Sequence, residues 1–367
     1  MSPPCERLVD MTVDPSVLPI TDLIVPALAR AQAYPRLRYM GSKYRLLPQL
    51  DEVFRSIGGR TALDAFSGSG VVAYLLKAQG YVVTSNDFLN FPATIARAAV
   101  ENSEVTVGQD LVELVCGPAA DDRDFIRSTF DGLFFSVEDR AFLDSAWSHI
   151  AALTGHQRDI VVAALVLSAA RKQPRGVFTF TGLRYDDGRR DLALPMEEHF
   201  RRHVAAYNAT VFSNGEANRS LCGDVADLGE PAYDVVYLDP PYAPPRDDAD
   251  YMKRYHFLEG LSVYWAGQEI MHETKTKKIA KKYTPFAYKR TVEDALSTTF
   301  HQFHDSGALV MSYSSNAVPD RERIVELMSE VKNRVEVIEI PHSYSFGTHS
   351  TALRTAVSEY VFIGRDR

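Results

Sequence analysis

The sequence predicts an α/β fold, a largely parallel sheet flanked by helices and carrying a mostly helical insertion. Three observations lead there. Residues 61–66 form a short apolar run that breaks into Ser67-Gly68-Ser69-Gly70, followed by a helical run at 71–78, a stop at Gly80 and a strand-like run at 81–84. A strand, a glycine turn, a helix and a strand make the βαβ unit of a parallel sheet. Helical patterns then dominate 109–215, at 125–135, 138–151 and 157–172. Strand-like runs resume at 234–238, 308–313, 335–340 and 359–363, so the helical block reads as an insertion between the second and third strands.

The prolines at positions 3, 4, 15, 19, 26 and 35 make residues 1–36 an arm with one short helix near 27–33. The expected organisation is that arm, a catalytic domain from 37–108 and 216–367, and an inserted target-recognition domain at 109–215.

Of the 367 residues, 46% are apolar and 24% charged, the balance of a folded globular chain. Forty basic against 48 acidic residues give a net charge of −8, which excludes coating nucleic acid by bulk charge. Any nucleic-acid contact must come from a local basic surface. The cysteines are Cys5, Cys116 and Cys222, with no CxxC, and fit a reduced compartment without a zinc ribbon or disulfide frame. No basic-then-apolar leader opens the chain, and the longest apolar run, 160–167, falls far short of the ~20 residues that span a bilayer. A cytoplasmic, nucleoid-associated protein is expected.

Glycine at 68 and 70 lets the chain turn sharply and lets a ligand approach the main chain. The turn opens a helix, where free N–H groups point outward. The next strand ends in Asn86-Asp87, and a carboxylate there suits the two ribose hydroxyls of a nucleoside ligand. A phosphate-binding P-loop is excluded, because no Gly-Lys-Ser/Thr follows. NAD is disfavoured, because Ala73 stands at the third glycine position.

The most informative element is Asp239-Pro240-Pro241-Tyr242, straight after the strand at 234–238. Two prolines fix φ and remove two donors, leaving a rigid, carbonyl-rich corner where a parallel sheet binds ligands. Asp239 and the Pro240 carbonyl offer acceptors and Tyr242 offers a ring. Together they suit a planar heterocycle carrying an exocyclic amine. The plain alternative is a structural proline turn.

In this order, residues 64–70, Asp87 and 239–242 resemble the S-adenosylmethionine-dependent amino-methyltransferases that act on DNA bases. Upstream, Tyr39-Met40-Gly41-Ser42-Lys43 resembles the N-terminal cofactor segment of the Dam-like, alpha-group adenine-N6 DNA methyltransferases, with Tyr39 where many members carry Trp. The stretches 251–259 and Ser312-Tyr313-Ser314-Ser315 resemble members from restriction–modification systems.

The resemblance implies a Rossmann-like class I methyltransferase fold with a seven-stranded mixed sheet. It implies site-specific transfer of the methyl of S-adenosylmethionine to N6 of an adenine flipped from double-stranded DNA. Asp239, Pro240, Pro241 and Tyr242 would hold the base. Asp87 would bind the ribose hydroxyls; Asp64, Phe66, Ser67, Gly68 and Gly70 would wrap the methionine portion; Tyr39, Gly41 and Lys43 would close the pocket. Asp239 would also face the cofactor, and Asp224 is a candidate for the cofactor's adenine amine, or else a turn cap. No metal is needed, and a cognate restriction endonuclease is a candidate partner. Cytosine N4 is the alternative target. A catalytically silent DNA-binding regulator on the same fold is the alternative of another class.

For DNA contact, Lys275, Lys277, Lys278, Lys281, Lys282, Lys289 and Arg290 form a run with no acidic residue, interleaved with Tyr283, Phe286 and Tyr288. That composition fits a phosphate-contacting loop. Arg171, Lys172, Arg175 and Arg184 in the insertion are the candidates for base recognition. His199 and His203, four apart, read as a polar helix face rather than a metal pair.

Overall fold

The computed structural model describes residues 25–173, 176–179, 189–243, 250–345 and 354–366. Nine strands occur among them: β1 (Thr61–Asp64), β2 (Val82–Asp87), β3 (Arg219–Cys222), β4 (Val235–Leu238), β5 (Ile270–Met271), β6 (Lys278–Ile279), β7 (Ala308–Ser314), β8 (Arg334–Ser345) and β9 (Arg354–Arg365). Seven form one sheet in the order β3-β2-β1-β4-β7-β9-β8. Only β9 runs against its neighbours, pairing antiparallel with both β7 and β8. This is the expected mixed α/β sheet of the class I methyltransferase arrangement. The strand order reverses between β1 and β4, so the crevice for a ligand opens beyond their carboxyl ends.

Alternation along the central strands fills both faces. Ala62, Val235 and Tyr237 pack into one core with the helices Val71–Ala78, Asn90–Ala96, Gly155–Arg171 and Met196–Asn208. Leu63, Val236 and Leu238 pack into the other with the helices Val292–Gln302 and Arg321–Ser329. Both faces are covered, which is why these strands are apolar throughout.

Among the described residues, the helical block does not enclose a core of its own. Leu143, Leu165, Phe200 and Tyr207 belong to the same core as Leu75 and Ile95, so the block is a covering layer of the sheet. The expected helix at 125–135 is shorter, Phe125–Thr129. The chain turns there through Gly132 (φ +69°) and Phe134 (φ +60°), a left-handed exit that stops helices. Strand β2 runs to Asp87, past the apolar 81–84, because its polar end is paired: Ser85 Oγ lies 2.8 Å from Ser220 Oγ, and Asn86 Nδ2 donates to the Gly223 carbonyl at 3.1 Å. The β5–β6 hairpin follows the helix Tyr251–Val263 and was not anticipated by any alternation in the sequence.

Candidate active site

One cavity lies at the strand-order reversal. Asp64, Phe66, Ser67, Gly68, Asp87, Asp239 and Pro241 all line it, together with Tyr39, Gly41 and Lys43. Residues from four separate stretches of sequence thus meet around one space.

The glycine turn is built by short bonds across the sheet edge. Ser67 N–H donates to the Asn86 carbonyl at 2.8 Å, and Gly70 N–H to the Ser67 carbonyl at 2.7 Å. Gly68 has φ +49° and its N–H donates to Asp87 Oδ2 at 2.8 Å, while Leu89 N–H donates to Asp87 Oδ1 at 3.0 Å. Asp87 therefore clamps the turn as well as facing the cavity. Gly70 (φ +79°) does not line the cavity. A Cβ there would meet the Tyr34 hydroxyl at 2.8 Å, so this glycine serves packing behind the turn.

Four carboxyls line this space: Asp64, Asp87, Asp239 and Asp250. Burial raises Asp87 to about 6, against the opposing pull of the Leu89 and Gly68 N–H groups. Burial, then the nearby Asp239 and Asp87, raise Asp64 well above its ordinary value, although the Ala73 and Phe66 N–H groups oppose this. Neither Asp64 oxygen makes a hydrogen bond of standard geometry, and the same is true of the buried Ser42 and Ser67 hydroxyls on the same wall. Buried polar groups are ordinarily satisfied, so a cluster of orphans on one cavity wall marks a place for a polar ligand.

The Asp-Pro-Pro-Tyr corner opens into this cavity through Asp239 and Pro241; Pro240, which is buried, and Tyr242 do not line it, and Tyr242 reaches the wall through its hydroxyl bond to Asp239. Three donors converge on Asp239 Oδ1: Lys43 Nζ at 2.8 Å, Ser312 Oγ at 3.1 Å and the Tyr242 hydroxyl at 3.1 Å. No hydrogen bond from the described residues reaches Oδ2. Burial raises the Asp239 carboxyl and Lys43 pulls it back down. Ser312 also meets the Tyr237 hydroxyl at 2.7 Å. The Ser312 stretch stood out in the sequence, but its bridging role did not.

The arm at 39–43 is held by the helix Tyr251–Val263. Tyr39 stacks on Tyr255 at 4.9 Å and tilts against Tyr251 at 5.3 Å, and Met40 N–H donates to the Tyr255 hydroxyl at 2.7 Å. A Cβ on Gly68 would come within 3.0 Å of the Tyr39 ring, so this glycine admits the ring. From the same helix, Glu259 is fully buried and accepts from Asn90 N–H at 2.8 Å and from Asn90 Nδ2 at 2.7 Å, capping the helix after β2. His256 faces inward, with Nε2 2.9 Å from the Phe178 carbonyl. Burial lowers it to about 4, so it is neutral and plays no part in the cavity.

Several expectations move. Asp224 does not line the cavity; it caps the turn Val225–Leu228 by accepting the Ala226 N–H at 3.1 Å, the habit of a short acid beside its own backbone. Lys172 is mostly covered, with 9% of its side chain exposed, and is paired with Asp139 at 2.5 Å and bonded to the Leu194 carbonyl at 2.6 Å, which removes its ammonium from any DNA surface. Arg171 lies 3.8 Å from Asp191 and is half-buried. Arg175 and Arg184 lie outside the described residues. Of the lysine run, Lys277 bonds the His272 carbonyl and Lys278 sits in β6. Lys281 pairs with Asp250 at 3.0 Å. Lys282 lines the cavity, 3.5 Å from Glu259 and 5.7 Å from the Phe88 ring centre, and Lys275, Lys289 and Arg290 stand exposed. His199 bonds the Asp191 carbonyl and His203 the Ser168 hydroxyl, each at 2.8 Å, both supporting the helical layer.

With that geometry established, comparison with known proteins decides the family. The model of the D12 class N6 adenine-specific DNA methyltransferases matches residues 39–305. The chain belongs to this family. The match begins at Tyr39 and takes in the glycine turn, the tetrapeptide and the lysine run. Type II methyltransferase M2.HphI of Haemophilus parahaemolyticus is 26% identical over 85% of this chain and 92% of its own length. Type II methyltransferase M.FokI of Planomicrobium okeanokoites is 22% identical over 89% of this chain and 52% of its own. Modification methylase StsI of Streptococcus sanguinis is 23% identical over 83% and 48%. The chain therefore spans about half the length of the latter two. No helix of the described residues is long and apolar enough to cross a membrane.

Proposed function

We propose that this D12-family methyltransferase binds S-adenosylmethionine in the cavity and methylates N6 of an adenine flipped from double-stranded DNA at a defined sequence. The single observation that carries the reading is that Asp239 and Pro241 face the same space as Asp87 and the 66–69 turn. The corner and the glycine-lined cleft are one site.

The chemistry of the wall fits the cofactor. Asp87 would accept the ribose hydroxyls, with the apolar Phe88 and Leu89 beside it for a purine. The buried Asp64 carboxyl suits an ammonium, whose charge would favour its ionised form, and the Ser67 hydroxyl suits a carboxylate, the two ends of an amino acid. S-adenosylmethionine supplies an electrophilic methyl on its sulfonium.

The remaining work belongs to the chain. Flipping a base costs a few kcal/mol. Stacking on Tyr242 would return ~1–3 kcal/mol of that. Asp239 Oδ2 and the Pro240 carbonyl would accept the two amine hydrogens, aiming the nitrogen lone pair at the methyl. Alignment of two bound reactants supplies up to ~7–11 kcal/mol of rate enhancement. The order of the segments, with 39–43 first and the tetrapeptide after the glycine turn, is that of the Dam-like alpha group. The similarity to type II modification enzymes supports a restriction–modification setting with a partner nuclease. Exposed Lys275, Lys289 and Arg290 are the phosphate contacts we assign, and the protein would act in the cytoplasm on the nucleoid.

The test is to incubate the protein with S-adenosylmethionine and genomic DNA, digest to nucleosides and analyse by mass spectrometry. N6-methyladenine is expected. N4-methylcytosine alone overturns the adenine assignment, and cofactor binding with no methylated base of either kind points to the silent regulator.

A further inference from the structure

The Tyr242 phenol has one proton and two carboxylates to receive it. Its oxygen lies 3.1 Å from Asp239 Oδ1 and 3.2 Å from Glu359 Oε2. Glu359 sits on β9, opposite Ser314 of β7, and is 4% exposed. Like Tyr242, it does not line the cavity, and it lies behind the Tyr242 hydroxyl. No feature of the tetrapeptide points to it, since 117 residues separate the pair.

We propose that Glu359 is a positioning residue for the Tyr242 ring. The inference rests on the reading of the corner as the base-holding site. Asp239 Oδ1 already receives Lys43 and Ser312, and each donor an oxygen accepts lowers its capacity for the next. Glu359 Oε2 offers the phenol proton a second acceptor at 3.2 Å, so Asp239 need not hold the hydroxyl alone. It also anchors the hydroxyl end of the ring. The Tyr313 ring holds Tyr242 from the side, centre to centre 4.9 Å at 64°. One hydrogen bond at the hydroxyl and one edge contact at the ring define the plane on which a base stacks. The β7–β9 ladder sets Glu359 rigidly, because Ser315 N–H donates to the Ser358 carbonyl at 2.8 Å and Ser358 N–H to Ser315 Oγ at 2.9 Å.

A double-mutant cycle on the full chain tests this, with Glu359→Ala, Glu359→Gln, Tyr242→Phe and the pair Tyr242→Phe with Glu359→Ala. The readouts are single-turnover methyl transfer to a duplex that the wild type methylates and equilibrium affinity for S-adenosylhomocysteine. Glu359→Ala should slow transfer at least tenfold while analogue affinity stays within threefold. Glu359→Gln, whose amide oxygen still accepts the phenol proton, should stay within threefold of wild type. In the Tyr242→Phe background, Glu359→Ala should have no further effect. Equal losses in Ala and Gln variants, or additive losses in the double variant, overturn the inference alone. A wild type that methylates no DNA overturns the underlying reading and this inference with it.

Discussion

Lys43 Nζ lies 2.8 Å from Asp239 Oδ1 and 4.9 Å from the centre of the Tyr242 ring. One ammonium thus covers both surfaces that the target base would use. Lys43 is 4% exposed and also bonds the Gly41 carbonyl, so the arm at 39–43 is tied to the corner. Burial raises the Asp239 carboxyl and Lys43 lowers it. Activity that needs the ionised form is present above its pKa and lost as pH falls through it. Lys43→Met should therefore move the acid limb of the single-turnover rate to higher pH, and Lys43→Arg should move it less. An unshifted limb in Lys43→Met would break the link between this pair and the chemistry.

Asp87 gives a second pH dependence. Its carboxyl is raised to about 6, burial being the main cause. Above that pH the ionised form would accept the two ribose hydroxyls; below it, one oxygen would carry a proton. Affinity for S-adenosylhomocysteine should be flat above about pH 6 and fall by up to tenfold per unit below it. Calorimetry at stepped pH checks this. Asp87→Asn should bind weakly at all pH values and lose that inflection.

The local features were legible in the sequence because they are fixed by backbone chemistry. A left-handed φ calls for Gly68 and Gly70, and two prolines after a strand fix the corner at 239–242. The βαβ unit followed from apolar runs and a glycine stop. What was not legible depends on residues distant in sequence. Lys172 looks like a surface cation until Asp139 is packed against it, and for Asp224 the sequence left ligand and turn cap open until the packing of its own turn decided for the cap. Gly70 serves Tyr34 of the arm, which no spacing rule conveys. Lys282 belongs to a basic run, yet Glu259 draws it to the cavity.

That division of the basic residues is measurable through salt. Each phosphate contact adds about 0.9 to the slope of log affinity against log salt. Replacing Lys289 and Arg290 by Ala should lower that slope by about two. Lys172→Ala should leave it unchanged while lowering the urea midpoint, because Asp139 is left buried without its partner. Lys282→Ala should weaken S-adenosylhomocysteine binding several-fold, with a smaller effect on the slope than Arg290→Ala.

Gly70→Ala tests the turn as structure. At φ +79° and 2.8 Å from the Tyr34 hydroxyl, a methyl forces both strain and a shift. A stability loss of about 1–3 kcal/mol is expected from backbone strain of this kind, read as a lower urea midpoint. Tyr34→Phe in the same chain should recover part of the loss.

Methyl transfer depends most directly on Asp239. Asp239→Ala should bind S-adenosylhomocysteine within about tenfold of wild type and transfer no measurable methyl in a single turnover, because its contact with the amine matters mainly in the transition state. Wild-type transfer rates from that variant would contradict the assignment of Asp239 to the reacting amine.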